Sequence, residues 1–487
     1  MTVFNFVLLS MLYFWCSSTS LSFGVGYYTL YRPIISGMIT GLILGDIELG
    51  MLAGSVVNII YIDFISTGGS LKGDQCLTAI IAAAVSITFK LSPIESSAVA
   101  YPFGYLGIFI WKYRLSINTI FVKKYEERYN NKHNPNIAVY DGLYPQILLY
   151  FMSTILIFVS FAAVFILKNA ILKEEIKYVF YLLGIFLINV SLLNVLLKLK
   201  NKYSIFIYIL TIVLIWTLKI SSVLVFVCIL VILLFLSYKD IFSSLNIKTK
   251  NQTDKLLKKK DLIFSWLIWM NFSHACYNYE RLQGMAYAHS MKNIIKKLYK
   301  DNSIVMSMTH KYTEFFNTEP NMGTPIHGFI IYLEEQKSMG NKIMDISYIK
   351  KGMMGIAAGL GDSFTQVVLT PLFISSSLML SLDNKYFAAL IPVALLGITI
   401  LCISYTGWMN GYYIGRESLI HRINLVKKSK IKLYFPLIFS SIVGVITAKL
   451  IELDYYIINN DIYNNIIAAV ISIIFIAVIM IRTKEKS

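Results

Sequence analysis

The sequence is short of charge. Only 15% of its 487 residues are Asp, Glu, Lys or Arg, where a soluble domain carries about 25%. Acidic residues are the scarcer kind, 27 against 44 basic ones, and the net charge is +17. Five cysteines, Cys16, Cys76, Cys228, Cys276 and Cys402, stand singly. With no CxxC or CxxH pair among them, neither a disulfide framework nor a Cys-based zinc site is expected. There is no HExxH, and His133, His274, His289, His310, His327 and His421 lie far apart with no evident base–nucleophile pairing. They read as structural or surface groups rather than phosphate carriers. No cofactor, no catalytic residue and no self-sufficient active site are expected.

What fills the chain is apolar. Hydrophobic residues make up 56%, and the mean hydropathy is +0.64. Runs over 144–167, 178–197 and 204–218 approach the roughly 20 residues that cross a bilayer. They are unbroken rather than alternating, which indicates helices and not barrel strands. The opening VFNFVLLSMLYFWCSST lacks the basic lead of a signal peptide and reads as a first membrane helix. Later spans are expected near Gly352–Leu380, Tyr386–Met409, Leu433–Ile451 and Ile466–Ile481. The expected fold is an all-α integral membrane protein, a polytopic helical bundle with re-entrant or broken helices and pseudo-repeat halves.

The positive charge falls between these runs, at Lys112–Lys132, Lys198–Lys202, Lys239–Lys260, Lys292–Lys300, Arg422–Lys432 and Arg482–Lys486. That is the distribution of cytoplasmic loops. Anionic lipid headgroups suffice as partners for it, and nucleic acid is not expected.

The clearest break is KDIFSSLNIKTKNQTDKLLKKKD (239–261), with seven lysines. It reads as a cytoplasmic linker between a domain at 1–238 and another at 262–487. The second half opens with a stretch, 262–349, too charged to span lipid. GLILGDIELGMLAG (41–54) and GMMGIAAGLGDSF (352–364) each join small apolar residues to a Gly-Asp pair. Transporter repeats place such interrupted helices near the bilayer midplane.

Three polar stretches interrupt this background. STGGSLKGDQ (66–75) lacks the spacing of a phosphate-binding loop. Two readings stand: an exposed turn, or a polar site inside the membrane. Asn58 and Asp63 before it and Gln75 and Thr78 after it favour the second, because polar groups at membrane depth persist only where protein or a water-filled cavity satisfies them. Asn58, Ser66, Asp74 and Gln75 are therefore candidates to line a cavity. Lys72 either reaches the aqueous edge or pairs with Asp63 or Asp74.

WMNFSHACYNYERLQGMAYAHSM (269–291), read as a helix, puts Glu280, Gln283 and Tyr287 on one side and Asn271, His274, Asn278 and Arg281 on another. Either this is a solvated boundary helix, or one face is ion-paired and the other meets a hydroxyl-rich ligand. In EFFNTEPNMGTPIHGFIIYLEEQKSMGNKI (314–342), Pro320 and Pro325 break the helix and predict a tight loop. Glu334 and Glu335 are expected to pair with Lys337 or Lys311.

These stretches together resemble the mannose-type sugar phosphotransferase system (PTS). The first half resembles its IIC subunit, through YRPIISGMITGLILGDIELGMLAGSVVNIIYIDFISTGGSLKGD and LTAIIAAAVSI. The second resembles IID, through YNYERLQGMAYAHSM, EFFNTEPNMGTPIHGFIIYLEEQK, IKKGMMGIAAGLGDSF and GYYIGR. The resemblance implies a fused IIC–IID permease in the bacterial cell membrane, multi-pass and oligomeric, with a trimer expected. It implies cytosolic IIA and IIB partners that carry the phosphate, a hexose or related sugar as substrate, and trapping by phosphorylation rather than ion coupling. Asp74, Asn58, Asn278, Glu280 and Gln283 would then bond ring hydroxyls, with Ser66 and Gln75 beside them and Arg281 and Asp362 ordering the site. Asn58, Ser66, Gly73 and Tyr277 depart from the family's common glutamate, asparagine, proline and tryptophan, which leaves the sugar open. The alternatives are a membrane enzyme acting on lipid-linked or sugar substrates, and a degenerate permease acting as a sugar sensor.

Overall fold

The computed structural model describes residues 2–63, 72–199, 202–245, 255–343, 345–428 and 430–458. The first half is built from α1 (Val3–Ser17), α2 (Pro33–Leu44), α3 (Ile47–Ile60), α4 (Gln75–Phe89), α5 (Pro93–Ala100) and the long α6 (Phe103–Asn130). Then follow α7 (Tyr144–Ile166), the single turn α8 (Lys168–Ile171), α9 (Glu174–Leu199), α10 (Lys202–Leu218) and α11 (Ser222–Leu245). The second half contains α12 (Lys259–Phe272), α13 (Gly284–Leu298), α14 (Asn302–Lys311), α15 (Thr324–Ser338) and α16 (Ile346–Gly361). It continues with α17 (Thr370–Leu382), α18 (Tyr386–Ile414), α19 (Arg416–Lys428) and α20 (Lys430–Ile458). Among the described residues the only extended pairing is two isolated bridges, Asn278 with Leu282 and Leu282 with Phe316.

Among the described residues, five segments are long and apolar enough to cross a membrane: Val139–Ile166, Glu174–Leu199, Ile346–Leu382, Tyr386–Ile414 and Lys430–Glu452. Several helices are broken, as expected. Alpha geometry gives way to a π-helical stretch at Asp362–Leu369, between α16 and α17, and at Val139–Leu143, ahead of α7. Pro392 and Pro436 sit inside α18 and α20, where each removes a backbone donor. The chain leaves the basic end of α6 along α7 and returns along α9 to Lys198. It leaves again along α16 and α17 and returns along α18 to the basic α19. These lysine clusters therefore collect at one end of the bundle, and the basic bias of cytoplasmic loops makes that end cytoplasmic.

The two Gly-Asp pairs occupy different settings. Gly45, at φ 93°, terminates α2 in the left-handed region, and the Asp46 carboxylate accepts from the Leu49 amide at 2.9 Å to start α3. The resulting hairpin is tight. A Cβ on Gly37 would lie 2.6 Å from the Gly50 carbonyl oxygen, so only small residues fit this seam. Gly361–Asp362, by contrast, lies within a continuous helical segment, at the point where its ladder loosens from α to π. The two pairs share sequence but not backbone geometry.

The halves interleave. α10 lies along α20, with the Tyr208 hydroxyl donating to Thr447 Oγ1 at 3.2 Å. Ser55 of α3 bonds Ser381 of α17 at 2.9 Å. A second, aromatic core places Trp269, Tyr287, Phe316 and Trp408 around His327 and extends to Val122 and Tyr125 of α6. The lysine-rich segment 239–261 is partly helical, because α11 runs to Leu245 and α12 begins at Lys259. Its middle, 246–254, lies outside the described residues, as do the expected span Ile466–Ile481 and the cluster Arg482–Lys486. At its far edge the Leu256 and Leu257 amides donate to Glu335 Oε1 at 2.8 and 2.7 Å.

Candidate substrate cavity

A cavity of about 200 Å³ lies between the halves. The first half contributes the end of α1, the tyrosines of the 25–31 segment, Asp74 and the face of α6 that carries Trp111 and Arg114. The second half contributes the connection from α12 to α13, the loop at Asn317–Asn321, and Ala358, Asp362 and Gln366. Two buried carboxylates, one from each half, face it.

Asp74 is the N-cap of α4. Its Oδ1 accepts from the Leu77 amide at 2.9 Å and its Oδ2 from the Tyr13 hydroxyl at 2.6 Å. The Tyr31 hydroxyl and the Cys76 amide also donate toward this carboxylate, so it is held rigidly at the cavity wall. The Asp74 amide donates to the Gly104 carbonyl at 2.8 Å. A Cβ on Gly107 would lie 2.3 Å from Asp74 Cβ, so α6 must be bare at that point.

Glu319 was not among the residues picked from sequence, although it stands in the Asn-Thr-Glu-Pro-Asn run of the proline-broken loop. Its Oε1 accepts from Tyr28 Oη at 2.9 Å and Asn321 Nδ2 at 3.1 Å. Its Oε2 accepts from the Asn321 amide at 3.1 Å and the Met322 amide at 2.5 Å. With its acceptor sites filled, Glu319 organises the loop and fixes the Asn321 amide by holding its nitrogen. Asn321 Oδ1 then points elsewhere, buried and without a hydrogen-bond partner, as is Thr318 Oγ1. Both residues line the cavity. A buried polar atom left unpaired costs ~1–3 kcal/mol, which makes both atoms receptive to a hydroxylated ligand.

The rest of the wall is braced across the halves. Arg114 of α6 donates through Nη2 to the carbonyls of His274 and Ala275, at 2.8 and 3.0 Å. One helical turn on, Asn118 Nδ2 donates to the Tyr277 carbonyl at 2.9 Å. Gln283 clamps the opposite loop in both directions, its Nε2 donating to Thr318 O and its Oε1 accepting from Thr318 N, each at 3.0 Å. Asp362 and Gln366 reach the cavity from the π-helical stretch, whose widened ladder turns side chains away from the regular helical face. Gln366 Nε2 donates to the Tyr28 hydroxyl at 3.3 Å.

Of the sequence-picked residues, the structure thus brings Asp74, Gln283 and Asp362 to one cavity. The others sit elsewhere. Asn58 is buried within α3 with Oδ1 unpartnered, and Gln75 is buried in the first turn of α4. Neither lines the cavity. Ser66 lies outside the described residues, with most of its loop. The expected helix over 269–291 is two helices, because α12 stops at Phe272 and α13 starts at Gly284. The connection between them turns on Asn278, whose Oδ1 accepts from the Glu280 and Arg281 amides at 3.1 and 2.9 Å. That side chain substitutes for helix capping, which is why the helical face read from the sequence does not form. Glu280 is on the surface, 3.6 Å from Lys123, and Arg281 pairs with Glu126 and donates to Thr313.

Of the two carboxylates open to it, Lys72 pairs with Asp63, at 3.1 Å. Glu334 and Glu335 pair with hydroxyls rather than lysines: Glu334 accepts from Tyr312 at 2.5 Å and Tyr299 at 3.1 Å, and Glu335 from Tyr412 at 2.5 Å. The histidines divide between packed and surface positions: His289 bonds Asp141 at 2.9 Å, His310 stacks on Tyr129 with ring centroids 3.8 Å apart, and His133 is exposed. Burial, and then the nearby Arg281 charge, hold the His310 imidazole below its ordinary pKa. Among the described residues no group of His, Cys, Asp and Glu is arranged to hold a metal ion.

Comparison with known proteins places both halves. Residues 3–236 match the family model described as "PTS system sorbose-specific iic component". Residues 256–487 match "PTS system mannose/fructose/sorbose family IID component". The chain is 31% identical over 170 residues to the PTS system mannose-specific EIID component of Escherichia coli K12, covering 34% of this chain and 60% of that protein. It is 34% identical over 171 residues to the fructose permease IID component of Bacillus subtilis, covering 34% and 62%. The chain thus spans about three fifths of the length of these curated relatives. It is also similar to a solved complex of the mannose transporter ManYZ with microcin E492, at 27% identity and a TM-score of 0.32, over 43% of this chain and 73% of that one. The chain belongs to the mannose/fructose/sorbose family of the phosphotransferase system, with a IIC component and a IID component joined in one membrane polypeptide.

Proposed function

We propose that this protein is the sugar permease of a mannose-type phosphotransferase system, formed by a IIC domain at 1–238 and a IID domain at 262–487 joined through 239–261. It binds a hexose or related sugar in the cavity between the halves and presents it to a cytosolic IIB partner, itself loaded by IIA, for phosphorylation. Transport is made unidirectional by that phosphorylation. The carrying observation is that acceptors from both halves converge on one monosaccharide-sized space. Asp74 lines it from the first half, while from the second Asn321 Oδ1 and Thr318 Oγ1 are buried and unpartnered. Tyr27, Tyr31 and Trp111 supply aromatic surface for the apolar face of a sugar ring. The cavity is smaller than the roughly 300–1,000 Å³ of drug-sized pockets, which suits one sugar ring rather than an oligosaccharide or a lipid-linked glycan.

The test is uptake of a radiolabelled sugar panel in cells that supply matching IIA and IIB proteins. One sugar class should accumulate as its phosphate, and Asp74→Asn and Asn321→Ala should each lower its uptake about tenfold or more, the equivalent of one lost hydrogen bond to a charged or buried group. Wild-type uptake by both variants would remove the site. Accumulation of unphosphorylated sugar, or none of any sugar, would remove the permease reading.

A further inference from the structure

A second concave site lies at the cytoplasmic end, away from the cavity. It is a groove of about 460 Å³ between α12, α13 and the residues that lead into α7. Phe264, Leu267, Ile268 and Asn271 recur at helical spacing and form one wall along α12. Phe264 keeps 54% of its surface exposed, so this wall is apolar and uncovered. The facing wall is polar, with His289, Lys292 and Asn293 on one face of α13. Asn136 and Ala138 of the first half close the groove.

The charge in this groove is unbalanced. Lys292 Nζ donates only to the neutral amide oxygen of Asn136, at 3.0 Å. Among the described residues it has no carboxylate within ion-pair distance, and none lines the groove. The charged or titratable side chains nearest along α13 are Lys296 one turn on and His289 one turn back, and His289 is already engaged by Asp141 from behind. Burial and then the Lys296 charge hold the Lys292 amine below its ordinary pKa, as expected for a cation whose counter-charge is missing.

The position selects the counter-charge. α12 is capped by Lys258, begins with Lys259 and Lys260 and runs to Phe272, which packs against Gly142 ahead of α7. α13 runs the other way and ends at Lys296 and Lys297, the latter paired with Asp261. The groove therefore has a basic end beside the cytoplasmic lysine clusters and an apolar wall running from it toward the head of α7. A protein helix is a poor occupant, since one turn with its side chains already fills roughly 500 Å³. We propose that this groove binds one anionic phospholipid, its phosphate on Lys292, Asn293 and Asn136 and its acyl chain along Phe264, Leu267 and Ile268. The bound lipid bridges the two halves, and it does so next to Asn271, whose carbonyl accepts from the cavity residue Thr19 at 3.1 Å.

Native mass spectrometry of the purified full chain in non-ionic detergent tests this, with phosphatidylglycerol and phosphatidylcholine as probes. One phosphatidylglycerol per chain should survive activation that strips phosphatidylcholine. Lys292→Gln should lower its retention about fivefold, as for one basic residue at the headgroup level, and Lys292→Arg should restore it. A photoactivatable phosphatidylglycerol on the wild-type chain should label the peptides holding 264–271 and 289–293, which keeps the test independent of how the variants fold. Equal retention of both lipids, labelling elsewhere, or displacement of the adduct by soluble glycerol phosphate would overturn the proposal. So would a groove shielded from the probe by a second copy of the chain.

Discussion

The Tyr28 hydroxyl donates to Glu319 Oε1 at 2.9 Å, joining the two halves at the wall of the cavity between residues 291 positions apart. Glu319 in turn holds the amide of Asn321, so a tyrosine of the IIC part positions an acceptor of the IID part. The site is a property of the joined halves and of neither alone.

This relay predicts the behaviour of Tyr28→Phe. The ring and its packing remain, and Glu319 loses one of its donors. Sugar uptake should fall about tenfold, corresponding to the ~1–3 kcal/mol of a buried hydrogen bond to a carboxyl group. Membrane abundance, measured by quantitative immunoblot, should be unchanged. Uptake equal to wild type would mean that Glu319 does not need this bond.

Both carboxylates are backed by a bare stretch of helix. A Cβ on Gly107 would lie 2.3 Å from Asp74 Cβ, and one on Gly361 would lie 2.2 Å from Glu319 Cβ. Gly107→Ala and Gly361→Ala should each displace the adjacent acid and lower uptake at least as far as removal of that carboxylate does. Substitution at Gly355, which has open space around it, should have little effect and serves as the control.

Arg114 and Asn118 brace the connection between α12 and α13 from the first half. Arg114→Lys keeps the charge but replaces the planar guanidinium, whose Nη2 reaches two carbonyls, with a flexible amine. We expect thermal stability in detergent to fall by ~1–3 kcal/mol for this variant, with a smaller loss for Asn118→Ala. An unshifted melting curve for both would show that the connection is held by its own turn alone.

The Asp261–Lys297 pair joins the ends of α12 and α13 outside the membrane. Burial raises the Asp261 pKa, but bonds from Lys297 and from the Lys258 amide outweigh it and leave the carboxyl below its ordinary value. A folded-state pKa below the unfolded one gives stability that is present above the unfolded value and lost as pH falls through the folded value. Stability should therefore decline in acid, below the usual carboxylate range. Asp261→Asn should flatten that part of a pH–melting profile measured in detergent, and a wild-type slope in the variant would assign the acid dependence to another group.

Glu335 anchors the chain where it enters the second half, accepting from the Leu256 and Leu257 amides and from the Tyr412 hydroxyl. Glu335→Gln should release this attachment and speed tryptic cleavage at Lys255 and Lys258, scored by intact mass. Cleavage no faster than wild type would mean that Lys255 packing on the Tyr413 ring, at 4.0 Å, holds the segment by itself.

The sequence by itself determined the membrane class, the helical content, the division into two halves and the family. Each is written in local terms: an unbroken apolar run long enough to cross a bilayer, a cluster of lysines, a short motif. It also singled out Asp74, Gln283 and Asp362, polar side chains set in an apolar background, where burial has to be compensated by a partner or a ligand. Only the tertiary structure decided which polar residues meet. Glu319 looked like one more loop acid until Tyr28, from the far end of the chain, closed on it. Asn278, Glu280 and Arg281 looked like parts of two polar faces of one helix, one of them facing a ligand, but a side-chain turn at Asn278 consumes the first and sends the other two to surface and interhelical partners. Periodicity reports which face a residue occupies only while the helix continues. The acceptor left unpaired at Asn321 depends on distances between segments hundreds of residues apart, and no local pattern carries that information.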